Sequence, residues 1–405
     1  MLSSRPHSGQ ATPRDVTRII GLESEVQTPT TSPSESTISP YSPESFAPLL
    51  KRLVLHPNDF TADDARIAFN HIAEDKGTTP AQLGAFLSCL RLTGKDGQPS
   101  IVAACADVLQ KHTIAVDVGE FGQGPICDIV GTGGDGHNTF NVSTTAAIVA
   151  AGAGCRVYKH GNKAATSSSG SADILMSLGC PVTSLPATSI NQVASTSPFL
   201  FLYAPVYHPA LVRMAPIRKQ IAFPTVFNAI GPLINPARPK AMVVGVHSKF
   251  LGPIFIEALR ITGVERAWVV CGAEGLDEIS PAGDTHVWNL ENDAITEMTV
   301  SPLDFGLALN SIESVAGGTP LENATTLELL LDNQLEPTNP IENFVMLNSA
   351  ALLLVSGKAA DFKEGVELAR QSISSGNARK ALNKFRHASQ EALAEVERRQ
   401  QRELD

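Results

Sequence analysis

Aromatic residues, charged residues and long apolar runs are all scarce in this 405-residue chain. Aromatic residues make up 5% and charged residues 18%, whereas hydrophobic residues make up 43%. This much apolar material excludes a wholly disordered chain. The longest apolar runs, such as 146–154 and 350–355, fall far short of the ~20 residues that a membrane helix needs, and no charged segment followed by an apolar one opens the chain. We therefore expect a soluble, non-secreted protein of two or three domains, at roughly 100–200 residues each.

Cysteine is scarce as well, and its spacing excludes two classes of protein. The six cysteines form no CxxC pair, and no histidine stands at zinc-finger spacing from them. Most have apolar or small neighbours, as Cys105 and Cys271 do. This excludes a disulfide framework and a zinc finger. It predicts small buried side chains in a reducing compartment, and we expect the cytoplasm.

The net charge of -10 argues against a general nucleic-acid binder. The distribution of charge is uneven, because residues 136–256 contain nine Lys or Arg and one acidic residue, Asp173. A segment near +8 within an acidic protein is typical of a site for a compact polyanion. Chance clustering on a solvated face is the alternative.

The first 44 residues are dense in Ser, Thr and Pro, so we expect a disordered tail. Three arginines, at positions 5, 14 and 18, are typical of an organelle transit peptide. The acidic residues at 15, 23 and 25 argue against import.

The rest of the chain divides into a helical part and an α/β part. Thr61 and Thr79 stand where N-caps begin helices, and Pro80 takes the first helical position. From about residue 125, short apolar runs that end in glycines alternate with helical segments, which predicts a mostly parallel sheet. The predicted strands are 126–130, 156–158, 243–246 and 267–271. The predicted fold class is α/β, with a small all-helical domain (45–118 with about 188–222) and a large α/β domain (119–187 and 223–405) whose mostly parallel central sheet is flanked by helices.

A glycine-rich turn, 131–135, directly follows the first predicted strand. Glycines let backbone N–H groups approach an anion without interference from a Cβ atom. The turn has neither a Walker lysine nor GxGxxG spacing. Six residues further on, Asn141, Ser143 and Thr144 stand at the start of an apolar helix, where unpaired N–H groups and hydroxyls suit a phosphate. Ordinary N-capping is the alternative, and it would need only one of these hydroxyls.

A cationic loop follows the second predicted strand. Lys159 and Lys163 enclose His160 and Asn162, and a run of hydroxyl residues reaches Ser171. These donors suit a phosphate or a pyrophosphate, and an ordinary surface loop is the alternative.

Two acids, Asp277 and Glu278, follow the fourth predicted strand. Adjacent carboxylates at the end of a strand can hold Mg²⁺, although such a pair is more often a solvated loop. In the stretch between the two halves of the α/β domain, Arg218 could pair with a carboxylate and His208 could line the same pocket. A lone histidine is more often structural.

Taken together and in this order, these segments resemble the anthranilate phosphoribosyltransferase family over about residues 46–390. The segments that carry the resemblance are 82–93, 131–135, 141–144, 159–173, 227–236, 277–278, 322–324 and 363–369. The resemblance implies transfer of a phosphoribosyl group from 5-phosphoribosyl-1-pyrophosphate to anthranilate, which gives N-(5-phosphoribosyl)anthranilate and pyrophosphate in tryptophan biosynthesis. It also implies Mg²⁺ as cofactor, a homodimer, and no nucleic-acid or membrane partner.

The resemblance further implies a role for each site residue. Lys159, Arg218 and His160 would be catalytic, with Arg218 facing the anthranilate carboxylate. Ser143, Asp277 and Glu278 would hold the metal. The substrate-binding residues would be Gly131, Thr132, Gly133, Gly134, Asp135, Asn141, Ser143, Thr144, Lys159, Asn162, Ser171, His208 and Arg218. Two positions depart from the family, because Lys163 replaces its usual arginine and Ala222 stands where glycine is common.

The residue chemistry supports this scheme independently. Pyrophosphate leaves as a highly charged group, which a metal and cations stabilise, whereas the anthranilate amine is neutral at pH 7 and needs no strong base. We expect catalysis by positioning and leaving-group stabilisation, through an oxocarbenium-like transition state. Two alternatives share the architecture. A pyrimidine nucleoside phosphorylase should lack the acids at 277–278, and a non-catalytic nucleic-acid-binding relative should be basic, with eroded motifs.

Overall fold

The computed structural model describes residues 40–116, 118, 124–164, 167–336 and 338–404. Most of the predicted disordered tail, 1–44, therefore lies outside the described residues. Pro43 and Glu44, which we assigned to that tail, belong to the first helix.

Four helices form the N-terminal part: α1 (Pro43–Leu55), α2 (Ala62–Ala73), α3 (Pro80–Leu92) and α4 (Pro99–Lys111). The caps that the sequence predicts are present. The Thr61 side chain accepts a hydrogen bond from the Asp64 N–H, and the Thr79 side chain accepts one from the Gln82 N–H. Each cap satisfies a backbone donor that the first turn of a helix leaves unpaired.

The sheet has seven strands in the order β3-β2-β1-β4-β5-β6-β7. The strands are β1 (Ile126–Gly131), β2 (Arg156–Gly161), β3 (Phe199–Tyr203), β4 (Ala241–Gly245), β5 (Arg266–Gly272), β6 (Thr285–Glu291) and β7 (Ala294–Val300). The first five pair in parallel, and β6 and β7 add an antiparallel hairpin. Asn292 and Asp293 turn that hairpin, both with positive φ, as a two-residue turn requires.

Eleven further helices follow in the described part of the chain. They are α5 (Val142–Gly152), α6 (Ser171–Ser177), α7 (Ile190–Ala194), α8 (Ala204–Tyr207), α9 (Pro209–Ile221), α10 (Val226–Ile230), α11 (Leu251–Ile261), α12 (Pro320–Leu331), α13 (Pro340–Val355), α14 (Phe362–Ser374) and α15 (Asn377–Leu404). None of the described helices is both long enough and apolar enough to cross a membrane.

Both faces of the sheet are covered. On one face, Ile129 and Val157 pack with α5, α13 and α14 in the largest core. On the other, Met242 and Val244 pack with α11. A third core joins α1–α4 to α9 and α10. The six cysteines are all free, and five of them are buried.

The predicted fold class, a small all-helical part and a large α/β part with a mostly parallel sheet, is confirmed. The four predicted strands are β1, β2, β4 and β5. The prediction that 188–222 is helical was wrong for Phe199–Tyr203, which forms β3 and is buried beside β2. The run Phe-Leu-Phe-Leu-Tyr favours a strand, but the nearby prolines led us to interpret it as broken helices.

Candidate active site

A cavity of about 300 Å³ opens at the carboxyl end of the sheet. It lies where the strand order reverses between β1 and β4, the place at which open parallel sheets bind ligands. Three of the predicted motifs meet there. Its lining includes Gly133, Gly134, Asp135, Asn141, Ser143, Ser169, Asp277 and Glu278.

The glycine turn fits closely against the acidic loop. A Cβ atom on Gly131, the last residue of β1, would lie 2.4 Å from Asp277 Oδ2. The Gly133 N–H donates to the same oxygen at 2.6 Å. Gly133 and Gly134 have φ values of +70° and +81°, a region that side chains other than glycine rarely adopt. Thr132 is held by the Gly245 carbonyl, which accepts from its N–H at 2.9 Å. The turn therefore needs glycine for both its conformation and its contact with Asp277.

The two acids are buried side by side. Asp277 is 8% exposed and Glu278 is 9% exposed. Burial, reinforced by the charge of Asp135, raises the pKa of Asp277 to about 7. Burial and the charge of Asp277 also raise the pKa of Glu278, which Lys159 and a hydrogen bond from Ser143 oppose. A cation would relieve this repulsion, and the oxygen donors are those that Mg²⁺ prefers. The donor set therefore fits the metal that the family resemblance implies.

Lys159 lies beneath this cavity and is 1% exposed. Its Nζ donates to the Ile129 carbonyl and to Ser143 Oγ, the latter at 3.4 Å. Burial lowers the pKa of Lys159, and the charges of Asp128, Glu278 and Asp277 oppose that shift. The ammonium thus reaches the site from under the first turn of α5.

Asn141 joins three segments at the rim of the cavity. Its side-chain oxygen accepts from Ser169 Oγ at 2.8 Å and from Asn323 Nδ2 at 2.9 Å, and its amide donates to the Ser169 carbonyl at 2.8 Å. Asn323, on α12, was not among the predicted site residues, and its contact with Asn141 brings it to the cavity. Thr144 is fully buried and donates to Ser171 Oγ at 2.9 Å, so these two hydroxyls contact each other.

Two buried histidines meet on the other face of the sheet. His160 Nε2 lies 3.1 Å from His208 Nε2, and His208 Nδ1 lies 3.0 Å from Thr113 Oγ1 at the end of α4. Burial holds the pKa of His160 well below its ordinary value and lowers that of His208 to about 4. Both rings are therefore neutral at pH 7. Asn162, two residues beyond His160, is exposed.

Arg218 lines a different cavity, of about 440 Å³, at the end of α9. Its guanidinium carbon lies 4.8 Å from the centre of the Phe227 ring, a cation–π contact that seats the side chain. Ala222 closes α9 with a φ of +58°. Glycine adopts this conformation without strain, whereas alanine adopts it at a cost.

Comparison with known proteins agrees with this architecture. The chain matches two family descriptions, "Glycosyl transferase family, helical bundle domain" over residues 47–113 and "Glycosyl transferase family, a/b domain" over residues 123–379. The anthranilate phosphoribosyltransferase of Schizosaccharomyces pombe is 47% identical over 313 residues, which are 77% of this chain and 88% of that protein. The enzyme of Haloferax volcanii is 42% identical over 82% of this chain and 96% of its own length.

Solved structures give the same result. The Saccharomyces cerevisiae enzyme in complex with PRPP and Mg has a TM-score of 0.79 at 33% identity, covering 86% of this chain and 99% of that one. The Thermus thermophilus enzyme has a TM-score of 0.78 at 34% identity, covering 84% of this chain and 99% of that one. The site lies in the matched region. This chain belongs to the anthranilate phosphoribosyltransferase family.

Proposed function

We propose that this chain transfers the phosphoribosyl group of 5-phosphoribosyl-1-pyrophosphate to the amine of anthranilate, in tryptophan biosynthesis. The bond from ribose C1 to the diphosphate oxygen breaks, and a bond from the amine nitrogen to C1 forms. The products are N-(5-phosphoribosyl)anthranilate, pyrophosphate and the proton that the amine loses. The observation that carries the proposal is the convergence of the glycine turn, the start of α5 and the acid pair on one cavity at the sheet edge.

The diphosphate side of the site lies on the α5 face. In the turn at 131–135 the Thr132 and Gly133 N–H groups are engaged by Gly245 and Asp277, which leaves those of Gly134 and Asp135 for a diphosphate. Ser143 offers a hydroxyl beside Lys159. Asp277, Glu278 and Ser143 would hold Mg²⁺, which when bound neutralises the negative charge of a leaving diphosphate. Stabilising charge that develops on a leaving group is the main source of catalysis in such a site.

The nucleophile side lies on the opposite face. His160, His208 and Asn162 would line the path of anthranilate, and Arg218 would pair with its carboxylate. The anthranilate amine is neutral at pH 7, so these residues need to position it rather than deprotonate it. Neutral histidines suit that role, because they place no positive charge against the incoming amine.

The same proposal includes a homodimer formed through the helical part and a cytoplasmic location. Large apolar side chains are exposed on α1, α2 and α3, with Leu55 at 66%, Ile67 at 47% and Leu92 at 85%. Exposed apolar surface of this kind favours association. Free, mostly buried cysteines fit a reducing compartment.

The test is product formation by the purified full chain. Anthranilate, 5-phosphoribosyl-1-pyrophosphate and Mg²⁺ together should release pyrophosphate and consume anthranilate in equal amounts, as chromatography would measure. Omitting any one component should abolish the reaction. Cleavage of thymidine by free phosphate, with no reaction of anthranilate, would instead favour a pyrimidine nucleoside phosphorylase.

A further inference from the structure

A buried carboxylate on β1, that of Asp128, has no role in the proposed reaction. Asp128 is 0% exposed. Its Oδ2 accepts from Asn235 Nδ2 at 2.8 Å and from the His160 N–H at 3.4 Å. Its Oδ1 has no hydrogen-bond donor among the residues that the structure describes. A buried carboxylate with an unpaired oxygen destabilises a fold. A functional role for its negative charge would explain why it is present.

Asn235, the partner of Asp128, is 2% exposed, and its hydrogen bonds connect four segments of the chain. Its Nδ2 also donates to the Tyr158 carbonyl of β2 at 2.7 Å, and its Oδ1 accepts from the Ala237 N–H at 2.9 Å. Its backbone carbonyl accepts from Gln110 Nε2 of α4 at 3.1 Å. The pair therefore fixes β1, β2, α4 and the segment that follows α10 relative to one another.

The contacts of this pair lie on the nucleophile side of the site. Successive residues of a strand point to opposite faces, and Lys159 reaches Ser143 of α5 whereas His160 reaches His208. The segment that ends at Asn235 also carries Phe227, on which Arg218 is seated. The Asp128–Asn235 pair therefore contacts the His160 backbone directly. A short loop connects it to Phe227, the ring that the Arg218 guanidinium contacts.

We infer that Asp128, together with Asn235, is a positioning residue for the anthranilate half of the reaction. The inference rests on the proposed function. The ionised carboxylate holds the His160 backbone and the Asn235 amide by charge-assisted hydrogen bonds, which are about twice as strong as neutral ones. Through these hydrogen bonds it sets where His160 and the 227–235 segment stand.

The Asp128→Asn variant tests this because it keeps the size and one acceptor oxygen and removes the charge. We expect kcat/KM for anthranilate to fall roughly 10- to 50-fold, since small misplacements at a site have effects of this size. KM for 5-phosphoribosyl-1-pyrophosphate should change less, because Lys159 interacts with the charge of Asp128 but keeps its hydrogen bonds to the Ile129 carbonyl and to Ser143. The thermal midpoint should be unchanged or higher, because the variant no longer buries an unpaired carboxylate. A purely structural role predicts the opposite pattern, with lost stability and both substrates affected alike.

A double-mutant cycle with Asn235→Ala tests whether the two residues act as one unit. The single variants should show the same selective effect on anthranilate, and the double variant should be little worse than either. Additive effects would overturn the pairing. If Asn235→Ala does not fold, the Asp128→Asn result still decides the assignment.

A matched control removes a buried hydrogen bond at the end of α5 away from Ser143. Ser372 is 2% exposed on α14 and donates to the Val149 carbonyl at 2.7 Å. Ser372→Ala should lower stability without separating the two KM values. An inactive wild type would contradict the proposed function, whereas an active wild type with an equally active Asp128→Asn variant would overturn only this inference.

Discussion

Four charged side chains in and beneath the site are almost completely buried: Asp128, Lys159, Asp277 and Glu278. Burying charge is unfavourable unless opposite charges or hydrogen bonds compensate for it. Here the compensation is incomplete, because burial raises the pKa of both cavity acids, reinforced by the charge of Asp135 at Asp277 and by the charge of Asp277 at Glu278. Buried charged groups with shifted pKa values are typical of functional sites.

Replacing the acid pair by Asp277→Ala/Glu278→Ala is expected to lower turnover on the order of 10³-fold or more, because the leaving diphosphate loses its charge stabilisation. Steady-state kinetics with saturating substrates would measure this. Glu297→Gln, which changes an exposed acid on β7, is the matched control and should leave the rate unchanged. Near-normal turnover in the double alanine variant would remove these acids from the metal site.

The pH dependence of stability should report on Asp128. Burial raises its pKa from 3.8 to about 6, against the opposing effects of the Lys159 charge, the Asn235 amide and the His160 N–H. A raised pKa means that the stability contributed by this group is fully present below about 3.8 and is lost as the pH rises through about 6. The ionised form thus costs roughly 3 kcal/mol at pH 7.

An amide at position 128 does not titrate. The stability of Asp128→Asn relative to wild type should therefore increase between pH 5 and pH 7.5, as denaturant unfolding would measure. The comparison cancels the titration of the groups that do not interact with Asp128. A difference that stays constant with pH would show that Asp128 does not ionise in this range.

At the scale of elements, buried asparagines fix the loops that carry the site. Asn348 of α13 is fully buried, and its side-chain amide pairs with the backbone of Ile279 as a neighbouring strand would. Its Oδ1 accepts from the Ile279 N–H at 3.1 Å, and its Nδ2 donates to the Ile279 carbonyl at 3.3 Å. Ile279 directly follows Glu278, so α13 sets the position of the acid pair.

Asn348→Ala is expected to raise KM for 5-phosphoribosyl-1-pyrophosphate and to lower kcat, each by roughly tenfold, because the acid loop loses its anchor. KM for anthranilate should change less. The adjacent Ser349 is an apt control, since it is fully buried and its hydroxyl has no partner among the described residues. Ser349→Ala should be neutral or stabilising. Equal effects of the two variants would contradict the anchoring role.

Elements differed in how well the sequence predicted them. The strands β1, β2, β4 and β5 were predicted because they are apolar runs followed by turns. The strand β3 was missed because Pro198 and Pro205 flank it and suggested broken helices. The antiparallel strands β6 and β7 were also missed. Six of the seven residues of β7 are at least partly exposed and give no apolar run.

At the scale of the whole molecule, the sequence predicted which motifs meet but not which hydrogen bonds their side chains form with one another. Parallel strands bring their carboxyl ends to one edge, so the glycine turn, Lys159 and the acid pair had to converge. Spacing could not show that Thr144 is buried against Ser171, or that Asn141 is engaged by Ser169 and Asn323. Those contacts depend on the tertiary packing of segments up to 182 residues apart.

The diphosphate side and the nucleophile side of the site are separate. We therefore expect each ligand to stabilise the whole chain through the residues of its own side. Mg²⁺ with 5-phosphoribosyl-1-pyrophosphate should raise the thermal midpoint, because binding relieves the repulsion between the buried acids. A ligand at 100 times its Kd stabilises by about 2.7 kcal/mol, which differential scanning calorimetry would detect as a shift of several degrees. Asp277→Ala/Glu278→Ala should lose this shift. Arg218→Ala should keep it, because Arg218 lines a separate cavity. A shift that Arg218→Ala abolishes and the acid variant retains would contradict the separation of the diphosphate side from the nucleophile side.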